Sequence, residues 1–447
     1  MTAPHDVANL PVEDEGEYAT SLSPAEARKV TFGALIGTAL EWYDFFLFNT
    51  AAALVFNIQF FTNENAVAAQ LSSFATLAVG FLARPLGGVI FGSVGDKIGR
   101  KTVMMITVVG IGAATAIIGL LPTYATIGVA APLTLVILRF LQGIFVGGEW
   151  SGAMTIAIEN APPQSKAKLA AIPQIGSPIG TILASGGFFL VTTLLSQENF
   201  DSFGWRIPFL AAIPLLLLAV IMRRRLDESP AFLAIKESGQ AEPAPMRTAW
   251  KKSWIQILVG AGAALLGIGG FYLITTFVVS YGKQHLGLSP SLLLFGSIFA
   301  AVVEVLVLVT GGRLGSRFGA SKVIVWGSVV SIVCAFPSFL LVGTREPVLV
   351  VLGMTLGVAA LSFPYATSGA VLSALFPLTT RLSGMAMAQN LSGVVAGFVP
   401  FAATGVVALA DNAWWPAATL LAVISAISAV CGAVAPRLSQ KITGYRH

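Results

Sequence analysis

Twelve apolar runs, each long enough to thread a lipid bilayer, leave this chain few folds to choose from. They fall at roughly 30–56, 68–92, 102–121, 132–158, 168–192, 206–222, 254–280, 291–311, 322–342, 347–372, 383–408 and 413–435. About 20 apolar residues rising 1.5 Å each match a hydrocarbon layer roughly 30 Å thick. Backbone groups in that layer find no water, so each run must satisfy its own hydrogen bonds as a helix. A β-barrel strand would alternate apolar with polar residues, and these runs do not alternate. Composition agrees, since 55% of the 447 residues are apolar and 11% are charged, against about 25% charged in a soluble domain. The expected fold is an all-α membrane protein with twelve transmembrane helices in two pseudo-symmetric six-helix bundles.

The basic residues test that reading independently. With both termini in the cytoplasm, 21 of the 26 Lys and Arg fall on the inner side. Arg206, Lys283 and Arg345 fall outside, and Arg84 and Arg139 lie within or at the edge of helices two and four. So uneven a split follows the positive-inside rule, and the net charge of +5 then reflects sidedness rather than nucleic-acid binding. The longest polar connection, 223–253, carries seven of these basic residues and links the halves. The expected organisation is a disordered cytoplasmic tail over 1–29, a first bundle over 30–222, the linker, a second bundle over 254–435 and a tail over 436–447. Residues 1–29 are acidic at Glu13, Asp14, Glu15 and Glu17, unlike the basic start of a signal peptide.

The halves also repeat. Gly95, Lys97 and Gly99 in the loop after helix two match Gly315, Arg317 and Gly319 after helix eight, at a constant offset of 220. Paired six-helix halves are a layout of secondary transporters, which bind substrate near the midplane between the repeats.

Several segments carry a narrower likeness. The glycine-rich loop with Asp96, Arg100 and Lys101, and Arg139-Phe140-Leu141-Gln142-Gly143 in helix four, resemble signatures of the major facilitator superfamily. Gly37 to Phe45 in helix one, Arg84 to Gly88, Gly147 to Trp150 and Gly204 to Phe209 resemble its metabolite:H⁺ symporter family. That family includes carriers of α-ketoglutarate, citrate, shikimate, and proline or betaine. The likeness is dense over 30–210 and thins to the general fold beyond. Helices seven and ten carry no charge, so the second half lacks the fixed cation expected of a shikimate or dicarboxylate carrier.

Ionisable side chains at the bilayer centre cost about 2.5–3.5 kcal/mol each on insertion scales, so they mark partners or a cavity. Four acids, Glu41, Asp44, Glu149 and Glu304, lie within predicted helices. Glu41 and Asp44 sit three apart on helix one, hence on neighbouring positions of one face. Two like charges so close suit a group that takes up and releases a proton each cycle. By resemblance to proton-coupled sugar porters, Asp44 faces Arg139, and a proton on Asp44 frees Arg139 for the change of shape. The alternative is a static pair holding helices one and four together. Glu149 belongs either to a structural network in helix four or to coupling. Glu304, mid-helix eight, is a second proton site, a partner for a cationic group on the substrate, or a protonated acid bonded to a neighbouring helix. Resemblance also places Arg84, Asp96, Arg100 and Glu159 in a cytoplasmic gate; the alternative is a solvated loop.

Trp42, Tyr43, Gln142, Gln174, Tyr272, Tyr365, Gln389 and Asn390 are the candidates for substrate contact, each weighed against an interhelical hydrogen bond or an interface aromatic. Cys334 and Cys431 lie in apolar runs and read as core residues. His5, His285 and His447 lie in tails or a loop, so no metal centre is expected. No Walker motif or metal-ligand spacing points to a pump or an enzyme, and the linker is too short for a signalling domain. The expected function is proton-coupled uptake of a small organic acid or zwitterion, without a cofactor, by a monomer in the bacterial inner membrane. The rival is a proton antiporter exporting a metabolite or drug.

Overall fold

The computed structural model describes residues 24–62, 65–98, 100–147, 166–224, 245–377 and 380–443. Most described residues fall in twelve main helices, several of them in two or more pieces, with short helical turns between them. The first half contains α1 (Pro24–Leu54), α2 (Ala66–Ile98), α3 (Arg100–Leu120) and α4 (Ala130–Val146). It continues with α5 (Lys166–Gln174, then Gly176–Leu194) and α6 (Ala212–Arg224). Two short turns, Gly204–Arg206 and Ile207–Leu210, lead into α6. The second half opens with α7, an α-helix over Pro245–Leu265 that loosens into π turns at Leu266–Gly270 and Leu273–Phe277 before Val278–Gln284. There follow α8 (Pro290–Phe318), α9 (Ala320–Gly343) and α10 (Pro347–Ala374). The last two are α11 (Arg381–Gly397, then Val399–Leu409) and α12 (Trp415–Thr443).

The helices begin and end where local chemistry tells them to. At the start of α8 the Ser289 hydroxyl accepts from the Leu292 amide at 3.3 Å, with Pro290 in the first turn, which occupies an otherwise orphaned donor. Its far end is Gly319 at φ +98, a conformation open to glycine at little cost. The π turns of α7 contain Gly267, Gly269 and Gly270, residues that hold an α-helix weakly, and they flank Tyr272 from both sides. Helix α1 starts at Pro24, six residues before the apolar run itself.

Packing within each half follows the repeat. In the first half α1 lies on α5, α2 on α4 and α3 on α6; in the second, α7 lies on α11, α8 on α10 and α9 on α12. Small residues set the closest crossings. A Cβ on Gly143 of α4 would collide with the Gly80 carbonyl of α2, and one on Gly87 with the Ile144 carbonyl. The outer surface is apolar, with Leu133, Leu217, Leu306, Val333 and Val430 all more than half exposed. Such a surface fits contact with lipid.

The halves meet along α1, α2 and α5 on one side and α7, α8, α10 and α11 on the other. They touch near the repeated loops, where the Lys168 amide donates to Ser316 Oγ at 3.1 Å and Asn390 Nδ2 to the Gly147 carbonyl at 3.3 Å. They touch again at the opposite end. There Lys283 Nζ donates to the Leu54 carbonyl at 3.0 Å and Gln284 Nε2 to Gln70 Oε1 at 2.6 Å. The described seam is therefore closed at both ends.

Candidate functional site

Between those closures the first half buries charge beside the seam. Asp44 projects from α1 toward α3 and α4, 5% exposed. Its carboxylate accepts from Thr115 Oγ1 and from Gln142 Nε2, at 2.8 and 3.1 Å to its two oxygens. Gln142 Nε2 also donates to Thr115 Oγ1 at 2.8 Å, and Gln142 Oε1 accepts from Arg139 Nη1 at 3.1 Å. Arg139 and Gln142 are three apart on α4, and so share a face. The acid and the arginine are thus joined through an amide rather than in direct contact. Beyond Gln142 the Arg139 guanidinium lies over the Phe48 ring at 4.0 Å and the Phe45 ring at 5.0 Å. Its Nε and Nη2 have no hydrogen-bond partner among the described residues. Gly80 makes the room: a Cβ there would stand 2.6 Å from Arg139 Nε.

Glu41, one turn earlier on α1, faces a different helix. It pairs with Arg84 of α2 at 3.6 Å, and that guanidinium stacks over Phe45 at 4.1 Å and Phe81 at 4.6 Å. Arg84, expected at the gate, is therefore a second deep cation beside Arg139. Of its expected gate partners, Glu159 lies outside the described residues, as do the side chains of Asp96 and Arg100. Glu149 also lies outside them.

An aromatic seam runs past these pairs and crosses between the halves. Trp42 stacks on Phe46 (ring centroids 5.2 Å apart) and meets Tyr365 of α10 edge-on at 6.4 Å. Phe46 packs on Phe271 at 5.1 Å, and Phe81 on Tyr272 at 5.7 Å. Gln174 of α5 donates across to the Tyr365 carbonyl and to Ser368 Oγ, each at 3.2 Å. Buried polar atoms are normally bonded, yet Trp42 Nε1 and both oxygens of Glu304 have no hydrogen-bond partner among the described residues.

The structure thus brings together Asp44, Arg139 and Gln142, and separately Glu41 and Arg84, with Trp42, Tyr272, Tyr365 and Gln174 along the seam. Tyr43 lies elsewhere, its hydroxyl donating to the Pro208 carbonyl at 2.7 Å and tying α1 to the turn before α6. Gln389 is buried on α11. Asn390 reaches Gly147 at the loop end. The sequence reading gives no role to Thr115, Phe46, Phe81 or Phe271, and includes Phe45 only as the end of a resembling segment. A threonine inside the apolar run of α3 was the signal for the first; the phenylalanines carried none. A recess lined by Gln70, Tyr281, Gln284 and Thr404 opens between α2, α7 and α11 and holds none of the expected site residues.

Two helical bundles meeting on a seam, with paired charges buried beside it, are the build of a secondary transporter. Residues 34–344 match the Major Facilitator Superfamily. The chain is 36% identical over 394 residues to the inner membrane metabolite transport protein YhjE of Escherichia coli K12, covering 87% of this chain and 89% of that protein. It is 35% identical over 421 residues to the shikimate transporter of the same organism, covering 93% and 95%. The structure superposes on a D-xylose–proton symporter with a TM-score of 0.71 at 19% identity, covering 91% of this chain and 97% of that one. The chain belongs to the major facilitator superfamily. It is a multi-pass transporter of the bacterial inner membrane, not an enzyme.

Proposed function

We propose that this protein is a proton-coupled symporter that takes up a small organic acid or zwitterionic metabolite by alternating access. One observation carries the reading: Asp44 is buried on α1 and bound by Thr115 and Gln142, with Arg139 on the other side of the same amide. Hydroxyl and amide groups can each donate or accept, so they suit either protonation state of the carboxyl. With the carboxylate ionised, Gln142 holds Asp44 and Arg139 in one network. Protonation weakens the acceptor, loosens that network and frees Arg139, and with it α1 against α4. The seam residues Trp42, Tyr272, Tyr365 and Gln174 then line the substrate space, and Arg84 and Arg139 are the cations to which a carboxylate can turn.

In this reading the halves, 30–222 and 254–435, rock about the seam as one unit each, joined by 223–253. Asp96, Arg100 and Glu159 latch the cytoplasmic face, and one chain suffices for the cycle. The likeness to a shikimate transporter supports a small acid as cargo.

The test is uptake by purified protein in liposomes under an imposed inward proton gradient, across small acids and zwitterions. Uptake of one cargo that collapses when the gradient is dissipated supports symport. Asp44→Asn should abolish gradient-driven accumulation, a loss of at least about 100-fold, while exchange of labelled for unlabelled cargo persists. Gradient-driven efflux with no uptake would instead establish the antiporter.

A further inference from the structure

Glu304 stands apart from the other acids of the seam. It lies on α8 at 0% exposure, and both carboxyl oxygens lack a partner among the described residues. Asp44 and Glu41 each have protein groups bound to them; Glu304 has none. No Lys or Arg among the described residues lies within ion-pair distance of it. Its helix is a wall of the seam. Contacts of Ser291 with Thr193, of Phe295 with Phe189 and of Gly312 with Ala171 run antiparallel along α5 and α8. That register sets Glu304 opposite the stretch around Ile179, near the middle of both helices. Gly180 in that stretch backs onto Trp42. From α10, Tyr365 packs edge-on against Trp42. Through α5, Glu304 is therefore set at the level of Trp42, whose Nε1 has no hydrogen-bond partner among the described residues.

We propose that Glu304 is the subsite for a cationic nitrogen, so that the carrier selects zwitterions that pair a carboxylate with an ammonium or quaternary ammonium group. The proposal deepens the symport reading and rests on it for the direction of uptake. Two physical arguments support it. A buried carboxylate requires a partner, and the described residues supply none, whereas an aromatic ring at the same level of the seam, Trp42, suits a cation. The charges also close. Arg84 and Arg139 offset Glu41 and Asp44 formally, leaving Glu304 over. With one proton on Asp44 and a zwitterion bound, Glu41, Asp44, Arg84, Arg139, Glu304 and the cargo sum to zero, which lowers the cost of carrying them through low dielectric. A monocarboxylate in the same place would leave one negative charge and require a second proton.

Binding is measured first, by thermal stabilisation of the purified full chain. The probes are small amino acids and betaines, each beside its nitrogen-free isostere, glycine betaine against 3,3-dimethylbutyrate among them. The expected result is that at least one zwitterion stabilises the wild type and its isostere does not. Glu304→Gln should weaken that zwitterion by at least about tenfold, while Glu304→Asp keeps part of the affinity. Equal stabilisation by an isostere, or no stabilisation by any zwitterion on monodisperse protein, overturns the proposal without need of a variant. So does a Glu304→Gln protein that binds and exchanges cargo normally but no longer couples it to the proton gradient, since that is the behaviour of a proton carrier. Zwitterion binding without gradient-driven uptake would sink the symport reading and leave the Glu304 assignment standing. Gradient-driven uptake of nitrogen-free acids alone would do the reverse.

Discussion

The Tyr43 hydroxyl donates to the Pro208 carbonyl from a position that water does not reach, at 2.7 Å and 5% exposure. Its neighbour Trp42 meets Phe46 and Tyr365 instead, so adjacent residues serve different ends. Tyr43→Phe should lower stability by about 1 kcal/mol, the usual worth of one such bond, visible as a drop in melting temperature. Cargo affinity should stay within about twofold of wild type, well short of the tenfold that marks a lost contact; a larger fall would return Tyr43 to the substrate site. The types of the chemistry-bearing residues were legible in the sequence, since charge inside an apolar run is conspicuous. Their partners were legible only in part: resemblance set Asp44 toward Arg139, but neither the amide between them nor the pairing of Glu41 with Arg84 could be read. Glu41 and Asp44 are three residues apart, leaving about 60° between them around the helix. That angle sends one to Arg84 on α2 and the other to Thr115 and Gln142 on α3 and α4. Pairing depends on how each helix is rotated about its own axis, which residue type alone does not fix.

At the scale of elements, hydropathy located the twelve main helices to within several residues, because the bilayer demands a length and the runs supply it; the predicted end of helix four, beyond Gly147, lies outside the described residues. What it missed lies in the backbone. The π turns of α7 (Leu266–Gly270, Leu273–Phe277) leave no hydropathy signal, being as apolar as the α-helix around them. The α2–α4 crossing was half legible. Gly143 belongs to a recognisable segment, yet its task, close approach to the Gly80 carbonyl, needs both helices in place. Gly143→Ala should force α2 and α4 apart and lower stability by about 1–3 kcal/mol, the range for overpacking. Thermal melting of the detergent-purified protein measures it. Because Arg139 and Gln142 ride on α4, gradient-driven uptake should fall more than cargo exchange does. An unchanged melting temperature would mean that the crossing is looser than described.

Across the whole molecule, two sets of contacts hold the seam shut, and they differ in kind. Near the repeated loops they include a backbone amide on Ser316 and Asn390 on a carbonyl. At the other end Lys283 reaches the Leu54 carbonyl and Gln284 meets Gln70. Lys283→Met removes a charged donor from the second set alone. Spin labels flanking that end should then report a longer mean separation, and cargo exchange should speed up, by about three- to tenfold for a lost bond near 1 kcal/mol. Unchanged distances would show that the Lys283 contact does not hold the closed form.

The aromatic seam has a thermodynamic consequence. Trp42, Phe46, Phe81, Phe271, Tyr272 and Tyr365 pack ring against ring across the two halves, so parting the halves wets a strip of apolar surface. Exposing such surface raises heat capacity, and the attraction that keeps it dry weakens on cooling. The balance between shut and parted forms must therefore bend with temperature, and a chilled carrier stands open more of the time than a warm one.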